Sequence, residues 1–159
     1  MIRFNYRLQS HGWAVAVVGD EHTEVSVPAS YLCDALRDFV DAVQSLFTSE
    51  TADCSWEEEP GQFCWKFRRT GARCAVEIFQ NNEEQAIFSG DDDLLHFGSE
   101  VESTLQKLLD EWGEESYLKK WGHPFTQEAH RKLGQAINIE RKLRKAAKSR
   151  GPKTSQEMS

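Results

Sequence analysis

Two carboxylate runs are the residues of this sequence most able to do chemistry: Asp91-Asp92-Asp93, followed by His96, and Glu57-Glu58-Glu59. Clustered carboxylates bind hard cations, trade protons when their pKa values split, or present a negative field to a basic partner. Asp91, Asp92, Asp93 and His96 together are the candidate set for a metal-dependent enzyme. A divalent ion needs further oxygen ligands at fixed spacing, and Gly98 and Ser99 do not continue a calcium-loop pattern. The aspartates also suit a plainer role, because acidic residues ahead of a helix accept bonds from its free amides and meet its positive dipole end. Glu57 to Glu59 fall at a hairpin mouth beside Pro60-Gly61, where Lys66, Arg68 and Arg69 are placed as cross-strand partners. In their functional version these carboxylates meet a basic groove on another protein.

No other side chains assemble into a reactive set. The histidines, His11, His22, His96, His123 and His130, are scattered over turns and helices, none paired in sequence with the Cys, Glu or second His in the pattern that zinc or nucleophilic chemistry requires. Cys33, Cys54, Cys64 and Cys74 form no CxxC pair and read as free, mostly buried thiols in a reducing compartment. The sequence contains no GxSxG, HExxH, P-loop or GxGxxG motif, so an enzymatic reading has no anchor residue and no cofactor is expected. Tyr117, Trp121, Pro124 and Phe125 form an aromatic knot that reads as a packing cap.

Charge is unevenly placed. The 159 residues carry a net charge of −7, but residues 1–139 hold 12 basic against 24 acidic groups, while residues 140–159 hold seven basic against two. An acidic body favours a basic protein partner and repels phosphates, whereas Arg141 to Lys153 could touch nucleic acid. A nucleic-acid-associated regulator using that basic end is therefore an alternative reading, although no aromatic residues are interleaved there for base stacking. The longest apolar run, Trp13 to Val18, is too short to span a bilayer, and no signal-peptide pattern opens the chain. A cytoplasmic protein without a membrane partner is expected.

The elements that must position these residues follow from periodicity. Ile2, Phe4, Tyr6 and Leu8 alternate with polar residues, and short turns at Ser10-His11-Gly12 and Gly19-Asp20-Glu21 lead to strands at Trp13 to Val18 and Thr23 to Val27. Ser30 is positioned to cap a helix with Leu32, Leu36, Phe39, Val40, Val43, Leu46 and Phe47 on one face. Two-residue loops at Pro60-Gly61 and Thr70-Gly71 would set Trp56 opposite Trp65, Cys54 opposite Phe67, and Phe63, Trp65 and Phe67 opposite Ile78, Val76 and Cys74. A strand at Gln85 to Ser89 precedes a helix from Leu94 to Trp112 that Gly113 ends. A helical turn holds Tyr117, Leu118 and Trp121, and Thr126 starts a last helix to about Lys148. The spacing thus predicts an α+β fold, an antiparallel sheet of about seven strands with helices packed on one face, as one domain over residues 1–148 and a disordered basic and polar tail over 149–159.

The succession of the helix from Ser30 to Phe47, Trp56-Glu57-Glu58-Glu59-Pro60-Gly61, Cys64-Trp65-Lys66-Phe67-Arg68-Arg69 and Tyr117-Leu118-Lys119-Lys120-Trp121-Gly122-His123-Pro124-Phe125 resembles a family of small bacterial proteins similar to immunity proteins of polymorphic toxin systems. The resemblance spans most of residues 1–135 and rests on Trp, Pro and Gly positions that define a fold. It implies a protein that neutralises a co-encoded toxin by binding it. The expectation is a non-enzymatic protein-binding module whose contact residues are Glu57, Glu58, Glu59, Asp91, Asp92 and Asp93.

Overall fold

The computed structural model describes residues 1–10 and 12–156, with side chains for residues 1–10 and 12–150. The elements are β1 (Arg3–Leu8), β2 (Trp13–Gly19), β3 (Glu24–Ser30), α1 (Ala35–Ser45), β4 (Thr51–Glu57), β5 (Gln62–Thr70), β6 (Arg73–Gln80), β7 (Phe88–Asp93), α2 (Leu94–Trp121) and α3 (Gln127–Gln156). His11 lies outside the described residues, as do the side chains of residues 151–159, on which most of the expected tail falls. Among the described residues no helix is long and apolar enough to cross a membrane.

The fold is α+β with antiparallel strands, but the seven strands divide into two sheets, β1-β2-β3 and β4-β5-β6-β7, and do not form the single sheet expected. The reason lies at the edges. The Gln9 amide donates to the Trp13 carbonyl at 2.7 Å, so odd residues of β1 bond to β2 and even residues point their backbone outward. Among the described residues no strand meets that outward edge; side chains do. Ile2 N–H donates to Asp92 Oδ2 at 2.9 Å, Phe4 N–H to Glu100 Oε1 at 3.5 Å, and the Thr104 hydroxyl to the Phe4 carbonyl at 3.0 Å. Side chains of β7 and α2 thereby satisfy groups that would otherwise recruit a neighbouring strand. At the other edge of the small sheet, Pro28 falls where its missing N–H would have pointed away from β2, so the ladder loses nothing and the edge loses a donor.

The hairpin registers differ from expectation by two residues, for reasons of turn chemistry. Glu58 N–H donates to the Gly61 carbonyl at 3.0 Å, which makes Glu59 and Pro60 the loop and pairs Trp56 with Phe63 and Cys54 with Trp65. Thr70 pairs with Arg73, so the second loop is Gly71-Ala72, with the positive φ of Gly71 (59°) at the first loop position, where a primed turn requires it. Phe63, Trp65 and Phe67 then face Gln80, Ile78 and Val76. A slip of two preserves side-chain parity, so the apolar face survives intact. Trp56 and Trp65 still touch, with ring centroids 4.8 Å apart.

Two of the expected elements also move. Helix α1 starts at Ala35 behind Asp34, while Ser30 ends β3 and its hydroxyl accepts the Leu32 amide at 3.2 Å. Leu32 is consequently exposed and does not join the core, whereas Leu36, Phe39, Val40, Val43 and Leu46 are buried as their spacing requires. Strand β7 covers Phe88–Asp93 in place of Gln85 to Ser89, so Asp91 and Asp92 belong to a strand. Helix α2 breaks where expected, at Gly113 (φ 69°, ψ 166°), and its second part carries Tyr117 and Trp121 into the core.

Phe39 of α1 joins the two sheets. Its ring stacks on Phe4 of the small sheet at 4.6 Å and meets Trp65, Trp56 and Phe67 of the large sheet at 4.8, 5.8 and 5.8 Å. All five residues are at most 3 % exposed. Replacing Phe39 with alanine should cost about 3–5 kcal/mol in urea or thermal unfolding, while Arg37→Ala on the exposed face of the same helix should change stability by less than about 0.5 kcal/mol.

Candidate acidic interface

The two carboxylate runs have opposite fates. Asp91, on the outer face of β7, pairs with Arg73 of the neighbouring strand. Asp92 points inward, is 3 % exposed, and accepts from the Ile2 amide, from the Asp93 amide at 2.7 Å and from His96, whose Nδ1 lies at 2.6 Å. Asp93 caps α2, accepting from the Leu95 and His96 amides at 2.8 and 3.2 Å, and pairs with Arg144 of α3 at 2.7 Å. The run is therefore occupied by structural partners, and Asp92 offers a second protein no surface.

Asp93 belongs to a clamp that sets α3 on the body. Arg144 also donates to the Ala72 carbonyl and to Glu140, both at 3.0 Å. Glu140 is buried and accepts from Arg69 at 3.0 Å, and Arg69 in turn donates to the carbonyls of Phe47 and Gly71 at 2.7 and 2.9 Å. One carboxylate between two guanidiniums leaves no buried charge without a partner.

Glu57, Glu58 and Glu59 are different. They surround the β4–β5 turn, and among the described residues none of them enters an ion pair. The β6–β7 loop docks beside them: Gln62 N–H donates to Asn81 Oδ1 at 3.1 Å and Asn81 N–H to the Gln62 carbonyl at 2.7 Å. That contact brings in Glu83 and Glu84, both exposed and also without an ionic partner among the described residues. These two were missed from sequence because they lie in a loop, yet the β5–β6 register alone carries the loop to the turn. The Glu57 amide donates to Cys33 Sγ at 3.4 Å, which sets the segment Tyr31-Leu32-Cys33 against the same end. Tyr31 and Leu32 are 50 % and 56 % exposed. On the adjoining flank of α1, partial burial and the nearby Asp34 and Asp41 carboxylates push Asp38 above its ordinary value, as expected where negative charge accumulates.

Several of the remaining reactive side chains are buried. All four cysteines are free, Cys54 and Cys74 being buried, and burial pushes the Cys74 thiol up to about 12 and the Cys54 thiol further. Burial also holds the Tyr6 and Tyr117 phenols above their ordinary value. Among the described residues no group of three or more His, Cys, Asp or Glu side chains converges as a metal site would require. Tyr117, Trp121 and Phe125 are buried, with Tyr117 packed edge-on against Phe125 at 5.3 Å, the packing cap that their sequence positions predict. No protein-family model, curated protein or solved structure matches the chain.

Partial burial raises the Asp93 carboxyl, but the Arg144 bond and the His96 and Leu95 amides outweigh it and leave the group below its ordinary value. A depressed carboxyl contributes stability that is complete above its unfolded pKa and is lost as pH falls through the folded one. Urea midpoints measured against pH should therefore fall on acidification through the carboxylate range. Asp93→Asn should flatten that limb, costing less than about 1 kcal/mol near neutrality because the pair is partly solvated, and converging with wild type in acid.

Proposed function

We propose that this chain is a non-enzymatic protein-binding module that presents an acidic pole to a basic surface of a partner, the role an immunity-type protein plays toward a cytoplasmic toxin domain. The observation that carries this reading is the gathering of Glu57, Glu58, Glu59, Glu83 and Glu84 at one end of the large sheet without cationic partners among the described residues. Like charges held together cost self-repulsion, and a partner of opposite sign relieves it while speeding and orienting encounter. Tyr31 and Leu32 at the rim supply the apolar contact that charge alone lacks. The burial of Cys54, Cys74, Tyr6 and Tyr117 and the internal pairing of Asp91, Asp92 and Asp93 support a binding role over a catalytic one.

The test is binding to the purified product of the neighbouring gene, followed by calorimetry or biolayer interferometry at low and high salt. Binding should weaken steeply with salt, and Glu58→Lys combined with Glu59→Lys should lower affinity about tenfold or more, mostly through the association rate. Asp91→Asn, at the other end of the sheet, should leave affinity unchanged. Absence of any complex at low salt, or equal loss from Asp91→Asn, contradicts the reading.

A further inference from the structure

The molecule is charge-separated along its length. Strand β5 runs nine residues from the acidic pole at Gln62 to the Gly71-Ala72 turn, a span of about 27 Å at about 3.4 Å per residue. Helix α3 begins beside the aromatic cap, is buried along Ala129, Leu133, Ile137 and Glu140, and takes its last anchor through Arg144 at that far turn. It then continues beyond the body, with Lys145, Lys148 and Arg150 exposed. Ile139 and Leu143, 59 % and 60 % exposed, lie one turn apart on its open face, flanked by exposed Lys142. An apolar stripe edged with lysines complements a pole whose glutamates have no ionic partner among the described residues and whose Glu57 is tied to the segment that carries exposed Tyr31 and Leu32.

The direction of α3 carries its basic end away from the acidic pole of its own chain, so the two surfaces meet only between molecules. We propose that two copies associate side by side and antiparallel, the open face and basic end of α3 of each lying across the acidic pole of the other through Ile139, Leu143, Lys142, Lys145 and Lys148. Antiparallel placement satisfies both contacts at once and closes the assembly about a two-fold axis. The dimer uses the same pole as a basic protein partner, so partner binding and self-association compete.

Sedimentation velocity on the full chain tests this at about 50 mM and about 500 mM salt, where screening lengths differ severalfold. The wild-type chain should dimerise at low salt and dissociate at high salt. An arm variant (Lys142→Glu, Lys145→Glu, Lys148→Glu) and a pole variant (Glu59→Lys, Glu83→Lys, Glu84→Lys) should each be monomeric, because arm and pole then repel. An equimolar mixture of the two variants should form a heterodimer, since both of its arm–pole contacts are attractive. Leu143→Ser should weaken the wild-type dimer about tenfold without changing charge. A wild-type chain that stays monomeric at low salt, variants that dimerise alone, or a mixture that does not assemble overturns the proposal, as does binding of the arm to RNA or heparin without self-association. The arm variant keeps the acidic pole, so its binding to a basic partner protein separates failure of this dimer from failure of the proposed function.

Discussion

Two sheets that share no backbone ladder must be joined by side chains, and here the joint is the ring of Phe39. It is stacked on Phe4 from the small sheet and enclosed by Trp56, Trp65 and Phe67 from the large one. Each such aromatic pair contributes about 0.5–1.5 kcal/mol beyond the area it buries, and all four converge on one side chain. A second tie is polar: the Asp92 carboxylate of β7 takes the Ile2 amide just ahead of β1 and holds His96 in the same grip. The joint thus couples a nonspecific packing term to a directional one.

That coupling positions the acidic pole. Tyr31 and Leu32 follow directly from β3 of the small sheet, whereas Glu57 to Glu59 and Glu83 to Glu84 hang from turns of the large one. Were the sheets free to shift, the apolar rim and the carboxylates would part. The contrast with Asp91, Asp92 and Asp93 then has a simple cause. Those residues sit where β6, β7, α2 and α3 meet, and Arg73, His96 and Arg144 are each brought within bonding reach. At the turns of the other end no Arg, Lys or His lies within ion-pairing reach among the described residues, so those charges stay unpaired.

The sequence was legible where a rule of period two or 3.6 decides and illegible where a single contact decides. Side-chain parity put Trp56, Phe63, Trp65, Phe67, Val76 and Ile78 on one buried face, and it survived a register error because a slip of two cannot turn a strand over. Which residue of Glu59-Pro60-Gly61 closes the turn is a local matter that alternation does not report. Division into two sheets depends on Asp92, Glu100 and Thr104 reaching the edge of β1 across about a hundred residues of chain, a relation without periodic trace. The free carboxylates Glu57, Glu58 and Glu59 were visible as a run, but Glu83 and Glu84 become part of the pole only through the Gln62–Asn81 contact.

The central claim is that Phe39 and Asp92 make two separate ladders into one cooperative body. Native-state hydrogen exchange, followed at individual amides under increasing denaturant, tests it directly. Inner amides of β2 and of β5 should exchange only through one common opening, with the same free energy and the same denaturant dependence as global unfolding. An opening that releases β1, β2 and β3 at lower free energy while β4 to β7 remain protected would contradict it.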